Sequence, residues 1–241
     1  MIITSKDNKI VKNLHKLKSK KYRNLQRCFL VEGEHLVNEA KKVNLLMSTF
    51  EFVDNENDRK FENSILISKK ILEYLTDTQT PQSVIGLCSY PQNKKKINRV
   101  LYLNKLQDPG NIGTLMRLAL AFDFDTVVVQ NFDVYNPKVI RSSQGAIFSL
   151  NVILENDDYK NLIELKNNNF DIYATILDQN AQTLNQISFS DKIVLVLGNE
   201  GNGISQFIKD MCDYKIYIPI SFESLNVACA GAIIMNKIRN G

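Results

Sequence analysis

The spacing of apolar positions divides the 241 residues into two halves with different rhythms. In the first half the predicted elements are short. Ile10, Val11, Leu14, Leu17 and Leu25 fall near one face of a helix and lysines fill the rest. With Ser5 able to cap its start, the pattern predicts one basic helix over residues 5–25. Strands are expected at 28–31, 45–53, 64–67 and 83–90, and helices at 33–42 and Lys69–Leu75. The result is a small α/β unit. The polar, basic stretch 91–99 (PQNKKKINR) begins with proline and reads as a linker.

Beyond it the alternation of strand and helix is cleaner. Strands are predicted at 100–103, Thr126–Gln130, 192–197 and 215–219, with helices at 110–122, 203–211 and 224–239. A further helix, strand, helix and strand are expected between residue 130 and about residue 176. Strands alternating with helices imply a parallel sheet covered on both faces, so the fold class is α/β. Ligands of such sheets bind at the carboxyl ends of the strands. Here those ends are the loops 104–113, 198–203 and 219–226.

Charge sharpens the division. Residues 1–99 hold 19 basic and 11 acidic residues, a net of +8, whereas 100–241 hold 11 basic and 15 acidic, a net of −4. Nine basic residues and one acid lie within 1–27 alone. Such asymmetry points to a polyanion as partner of the first half, and a solvated lysine face remains the plainer alternative. No apolar run approaches the roughly 18–20 residues of a membrane helix. The N-terminus lacks the pattern of a signal peptide, and a cytoplasmic protein with no membrane partner is expected. Cys28, Cys88, Cys212 and Cys229 show no metal-ligand spacing, so reduced structural thiols and no metal are expected. Both histidines, His15 and His35, lie in the first half. This argues against a Ser-His or Cys-His hydrolase in the second.

The three loops hold the candidate chemistry. In the first, Asn111 and Gly113 sit at a helix start, where backbone donors are free to hold an anion, and Arg117 follows one to two turns on. In the second, Gly198-Asn-Glu200-Gly-Asn-Gly203 lets the backbone approach a ligand closely. Its G-x-x-G-x-G spacing is not the dinucleotide fingerprint, which argues against a nicotinamide-dependent dehydrogenase, and no P-loop lysine follows. In the third, Ser224 or Asn226 can cap the last helix. A run of small residues, Ala228 to Ala232, lets that helix pack closely against a neighbour.

Taken together, the loops resemble the three motifs of the SpoU family of RNA methyltransferases, within the SPOUT class. Asp108-Pro-x-Asn111-x-Gly113-x-x-x-Arg117 resembles the first motif, Gly198-Asn-Glu200-Gly201-x-Gly203 the second, and Ser224-Leu-Asn226-Val the third. Arg141-Ser-Ser-Gln-Gly145-Ala146-Ile-Phe148 is similar to a further family segment, so the likeness covers 98–241. Residues 1–95 resemble the family's substrate-binding domain, of ribosomal-protein-like α/β fold, through Phe29-Leu-Val-Glu-Gly33-Glu-His-Leu-Val37 and Thr80-Pro-Gln-Ser-Val-Ile-Gly86. The resemblance implies a trefoil-knotted methyltransferase domain over 98–241, S-adenosylmethionine as cofactor, and methylation of a ribose 2'-OH in RNA. It also implies a homodimer whose protomers share the site. Ribosomal RNA is expected over transfer RNA because of the separate N-terminal domain, and a non-catalytic RNA binder that kept the fold is the alternative. By resemblance Arg117 is the central catalytic residue, with Asn111, Glu200, Ser224 and Asn226 around it. Thr175, Gly198, Ile218 and Leu225 would contact the cofactor, largely through the backbone. Two departures stand out: the connection 218–224 (IPISFES) is shorter than the family's and lacks its glycine, and the last helix lacks the aromatic-acid pair often found at its end.

Overall fold

A computed structural model describes residues 2–92, 96–178 and 180–241. Residues 93–95 of the predicted linker thus lie outside the described residues. The described chain divides into two compact units: 2–92 with Tyr135–Ser149, and 96–134 with Leu150–Gly241.

The first unit opens with α1 (Lys9–Lys16) and α2 (Lys20–Gln26), where the sequence pattern predicted one helix. Arg23, 3% exposed, explains the break. Its Nη1 donates to the carbonyls of Leu17 and Lys18, both at 2.7 Å, taking up backbone acceptors that a continuous helix would have used internally. The cap also differs from expectation. The Asn8 side chain accepts from Ile10 N at 2.8 Å, while Ser5 accepts from Asp7 N and starts no helix. Then follow β1 (Cys28–Glu32), α3 (Glu34–Lys42), β2 (Leu46–Glu51), β3 (Ile65–Leu66), α4 (Lys69–Leu75) and β4 (Val84–Ser89). The sheet order is β1-β4-β2-β3, with β4 antiparallel to both neighbours and β3 parallel to β2. Val11, Leu14, Phe50, Ile71 and Ile85 pack as its core.

Helix α6 (Pro137–Ser143) belongs to this unit although it lies between two strands of the other. Its segment is held by aromatic rings: Tyr135 stacks on Tyr90 at 3.9 Å and meets Phe29 at 5.0 Å, and Phe148 lies 6.1 Å from Phe29. The packing units therefore cross the boundary read from the sequence.

The second unit comprises β5 (Arg99–Asn104), α5 (Pro109–Ala121), β6 (Thr126–Gln130), β7 (Asn151–Glu155), α7 (Lys160–Asn167), β8 (Asp171–Thr175), β9 (Gln182–Thr183), β10 (Ile193–Gly198), α8 (Gln206–Met211), β11 (Tyr214–Tyr217) and α9 (Val227–Asn240). Its seven strands run in the order β7-β6-β5-β10-β8-β11-β9, and every pairing is parallel. Central β5 and β10 are apolar on both faces, and Val100 to Leu103 and Ile193 to Leu197 have no exposed surface. Burying each such side chain contributes about 1.5–3 kcal/mol. Asn104 pairs in register with Gly198, so the two strands end level and their following loops emerge side by side. Among the described residues no helix is long and apolar enough to cross a membrane.

Candidate active site

All three loops singled out in the sequence meet at the carboxyl edge of this sheet. The first begins α5: the Asp108 side chain accepts from Gly110 N at 2.6 Å, and Pro109 occupies the first turn, where no backbone donor is needed. The second loop is folded by Asn199. Its Oδ1 accepts from Gly201 N and Asn202 N at 3.0 and 2.9 Å, and its Nδ2 donates to the Lys105 carbonyl at 2.8 Å. Asn199 and Gly203 also exchange backbone hydrogen bonds, with Gly203 at φ +66°. A Cβ on Gly198 would lie 2.5 Å from the Gly203 carbonyl carbon, so the loop folds back onto a position that only glycine allows. The third loop enters α9 through Asn226, not Ser224. The Asn226 Oδ1 accepts from Ala228 N at 2.9 Å.

A polar chain joins the loops. Asn226 Nδ2 donates to Asn111 Oδ1 at 3.1 Å, and Asn111 Nδ2 donates to Glu200 Oε1 at 3.1 Å. The Glu200 Oε2 accepts from Gln107 N at 3.3 Å. A carboxylate between glycines is thereby given a task a turn alone would not need: it ties the second loop to the first. Below this chain, buried Asn104 accepts from Ser205 N at 2.8 Å and donates to Gln130 at 2.6 Å, which anchors the far end of the glycine loop. Gln107, Asn199 and Asn104 were not singled out in the sequence. Only Asn199 carried a legible signal, an asparagine ahead of a glycine-rich turn.

Beside the chain opens a cavity of about 650 Å³. Thr175, Gly198, Ile218 and Leu225 all line it, as do Glu200, Ser224 and Asn226. Thr175 is held by its hydroxyl, which donates to the Val196 carbonyl at 3.1 Å. The size falls in the range of about 300–1,000 Å³ usual for small-molecule sites. Helix α9 closes in from one side. A Cβ on Gly231 would stand 2.6 Å from Leu115 Cδ2 and 3.0 Å from Leu197 Cδ1, which is the close packing expected of the small-residue run.

The family model described as the SpoU rRNA Methylase family matches residues 98–236, and that of the MRM3-like substrate binding domain matches 8–86. A relative in Bacillus subtilis, the 23S rRNA (guanosine(2553)-2'-O)-methyltransferase RlmP, is 36% identical over 98% of both chains. This chain belongs to the SpoU rRNA methylase family. The crystal structure of an RNA 2'-O ribose methyltransferase superposes with a TM-score of 0.81 at 25% identity, covering 99% of this chain and 98% of that one. An AdoMet-bound rRNA methyltransferase from Sinorhizobium meliloti shares the fold, with a TM-score of 0.83 at 24% identity over 99% and 97%. Neither Asn111 nor Arg117 of the first motif lines the cavity: Arg117 is exposed on α5, and Asn111 bonds to Glu200 and Asn226, not to Arg117.

Proposed function

We propose that the chain transfers a methyl group from S-adenosylmethionine to a ribose 2'-OH of ribosomal RNA. The observation that carries this reading is the polar chain Asn226–Asn111–Glu200 beside the cavity, built from all three SpoU motifs. The donor set fits the cofactor. Thr175, Gly198, Ile218 and Leu225 line a cavity of suitable size, and the missing side chain at Gly198 lets the glycine loop that borders it fold back on itself. When bound, the cofactor supplies an electrophilic methyl on a sulfonium.

The protein's part is to align the hydroxyl in line with that methyl, since orientation supplies much of the barrier reduction. Arg117, always charged, stabilises the developing alkoxide and so favours loss of the hydroxyl proton. Asn111, Glu200, Ser224 and Asn226 shape the pocket that holds the ribose.

Residues 1–95 dock the RNA through their basic surface, and residues 98–241 carry out the transfer within a trefoil knot. The enzyme works as a homodimer in the cytoplasm, where ribosomal RNA is matured. Two features support the dimer. Ile233 and Cys229 on α9, with Leu120 on α5, leave an apolar face exposed. Arg117 is exposed and does not line its own cavity, which suits a residue serving the partner's site.

The test is to map 2'-O-methyl groups in ribosomal and transfer RNA from cells with and without the protein, reading guanosine 2553 of 23S rRNA first. One ribosomal position should lose its methyl group. A loss confined to transfer RNA would redirect the substrate, and no loss anywhere would leave a non-catalytic RNA binder. Thermal-shift titration should show stabilisation by S-adenosylhomocysteine and none by NAD.

A further inference from the structure

The short connection between β11 and α9 holds the most exposed aromatic ring among the described residues, Phe222, at 79%. Exposure of this degree is unusual for phenylalanine in a segment that forms part of a site. From the same connection Ile220, Ser224 and Leu225 line the cavity, but Phe222 does not. Its ring therefore projects from the cavity wall toward solvent, the side from which a macromolecule approaches. The cavity wall also carries Lys209 and Lys215, neither ion-paired among the described residues, in a half of the chain whose net charge is −4. Cations on the cavity wall and an exposed ring on a connection that borders the cavity are the two elements with which proteins hold single-stranded nucleic acid: charge for phosphate, a flat apolar face for a base.

We propose that Phe222 is a positioning residue for the RNA substrate, stacking on an unpaired base next to the methylated nucleotide. This rests on the methyltransferase reading above. Stacking fixes the strand at the mouth of the cavity, so that the target ribose is presented to the pocket formed by Ser224 and Asn226. The ring adds nothing to the cofactor's wall, so cofactor affinity is independent of it.

The experiment uses the full-length protein and deproteinised ribosomal RNA from cells lacking it. Phe222→Ala should raise the KM for RNA roughly five- to a hundredfold, the loss of one stacked base, with kcat, cofactor affinity and thermal midpoint unchanged. Phe222→Trp should restore the KM. Because the natural chain has no tryptophan, that variant is also its own reporter, and its fluorescence should be quenched by RNA and not by S-adenosylmethionine. A wild-type KM in Phe222→Ala overturns the inference. Quenching by cofactor alone would assign the ring to the adenine instead, and a spectral change on dilution without RNA would assign it to a subunit contact; either outcome also overturns it. If the wild-type protein binds no cofactor and methylates nothing, the methyltransferase reading itself falls.

Discussion

Single residues at this site divide into those that shape the loops and those proposed to act on substrate, and the two classes should fail differently. Gly198 shapes. An added methyl meets the backbone of Gly203 and Ile204 at 2.5 and 2.6 Å, and backbone cannot swing aside as a side-chain end can. Gly198→Ala should displace the loop and weaken S-adenosylmethionine binding roughly tenfold or more, measured by calorimetry. Arg117 acts. It is exposed, so its removal disturbs no packing, and Arg117→Ala should lower single-turnover methyl transfer by roughly a hundredfold or more while cofactor affinity stays within about twofold. Near-normal transfer would remove Arg117 from its central role.

At the scale of elements, the motif loops were legible because their residue types encode local geometry. Glycine spacing marks a close backbone approach, Asp108-Pro109 marks a helix start, and an apolar run such as Thr126–Gln130 marks a buried strand. What was not legible depends on contacts distant in sequence. The periodicity over 5–25 is helical throughout, and nothing in it says that Arg23 folds back on the carbonyls of Leu17 and Lys18. Nor does the third motif say that Asn226, not Ser224, caps α9, since both are good caps and the choice follows from the bond to Asn111. The contact between α5 and α9 is a case where sequence and structure agree on cause. Gly231 lies against Leu115 and Leu197, so Gly231→Val should overpack that seam, costing about 1–3 kcal/mol and lowering the thermal midpoint by several degrees. Gly231→Ala should be milder, because alanine recovers up to about 1 kcal/mol of helix propensity. Equal midpoints for the valine variant and wild type would mean that the helices are less tightly apposed.

At the scale of the molecule, light scattering at micromolar concentration should give twice the 27.5 kDa chain mass. Ala232→Glu, which places a charge beside the exposed Ile233, should give monomers or insoluble protein with activity lost. A fully active wild-type monomer would refute the shared site. Removing residues 1–95 should make RNA binding at least roughly tenfold weaker and abolish its steep salt dependence. The same truncation leaves Tyr135 and Phe148 without Phe29 and Tyr90. The segment Tyr135–Ser149 should then become sensitive to proteolysis, which limited trypsin digestion at Lys138 and Arg141 would detect.

That segment also sets a rule for recombining the two halves. Between β6 and β7 the chain leaves its sheet, contributes a helix to the other unit, and returns. A chimera joined only at the linker would therefore inherit a docking half from one parent and the helix that completes it from another. Swapping substrate preference between relatives should succeed only when residues 135–149 travel with the N-terminal half, as two grafts and not one.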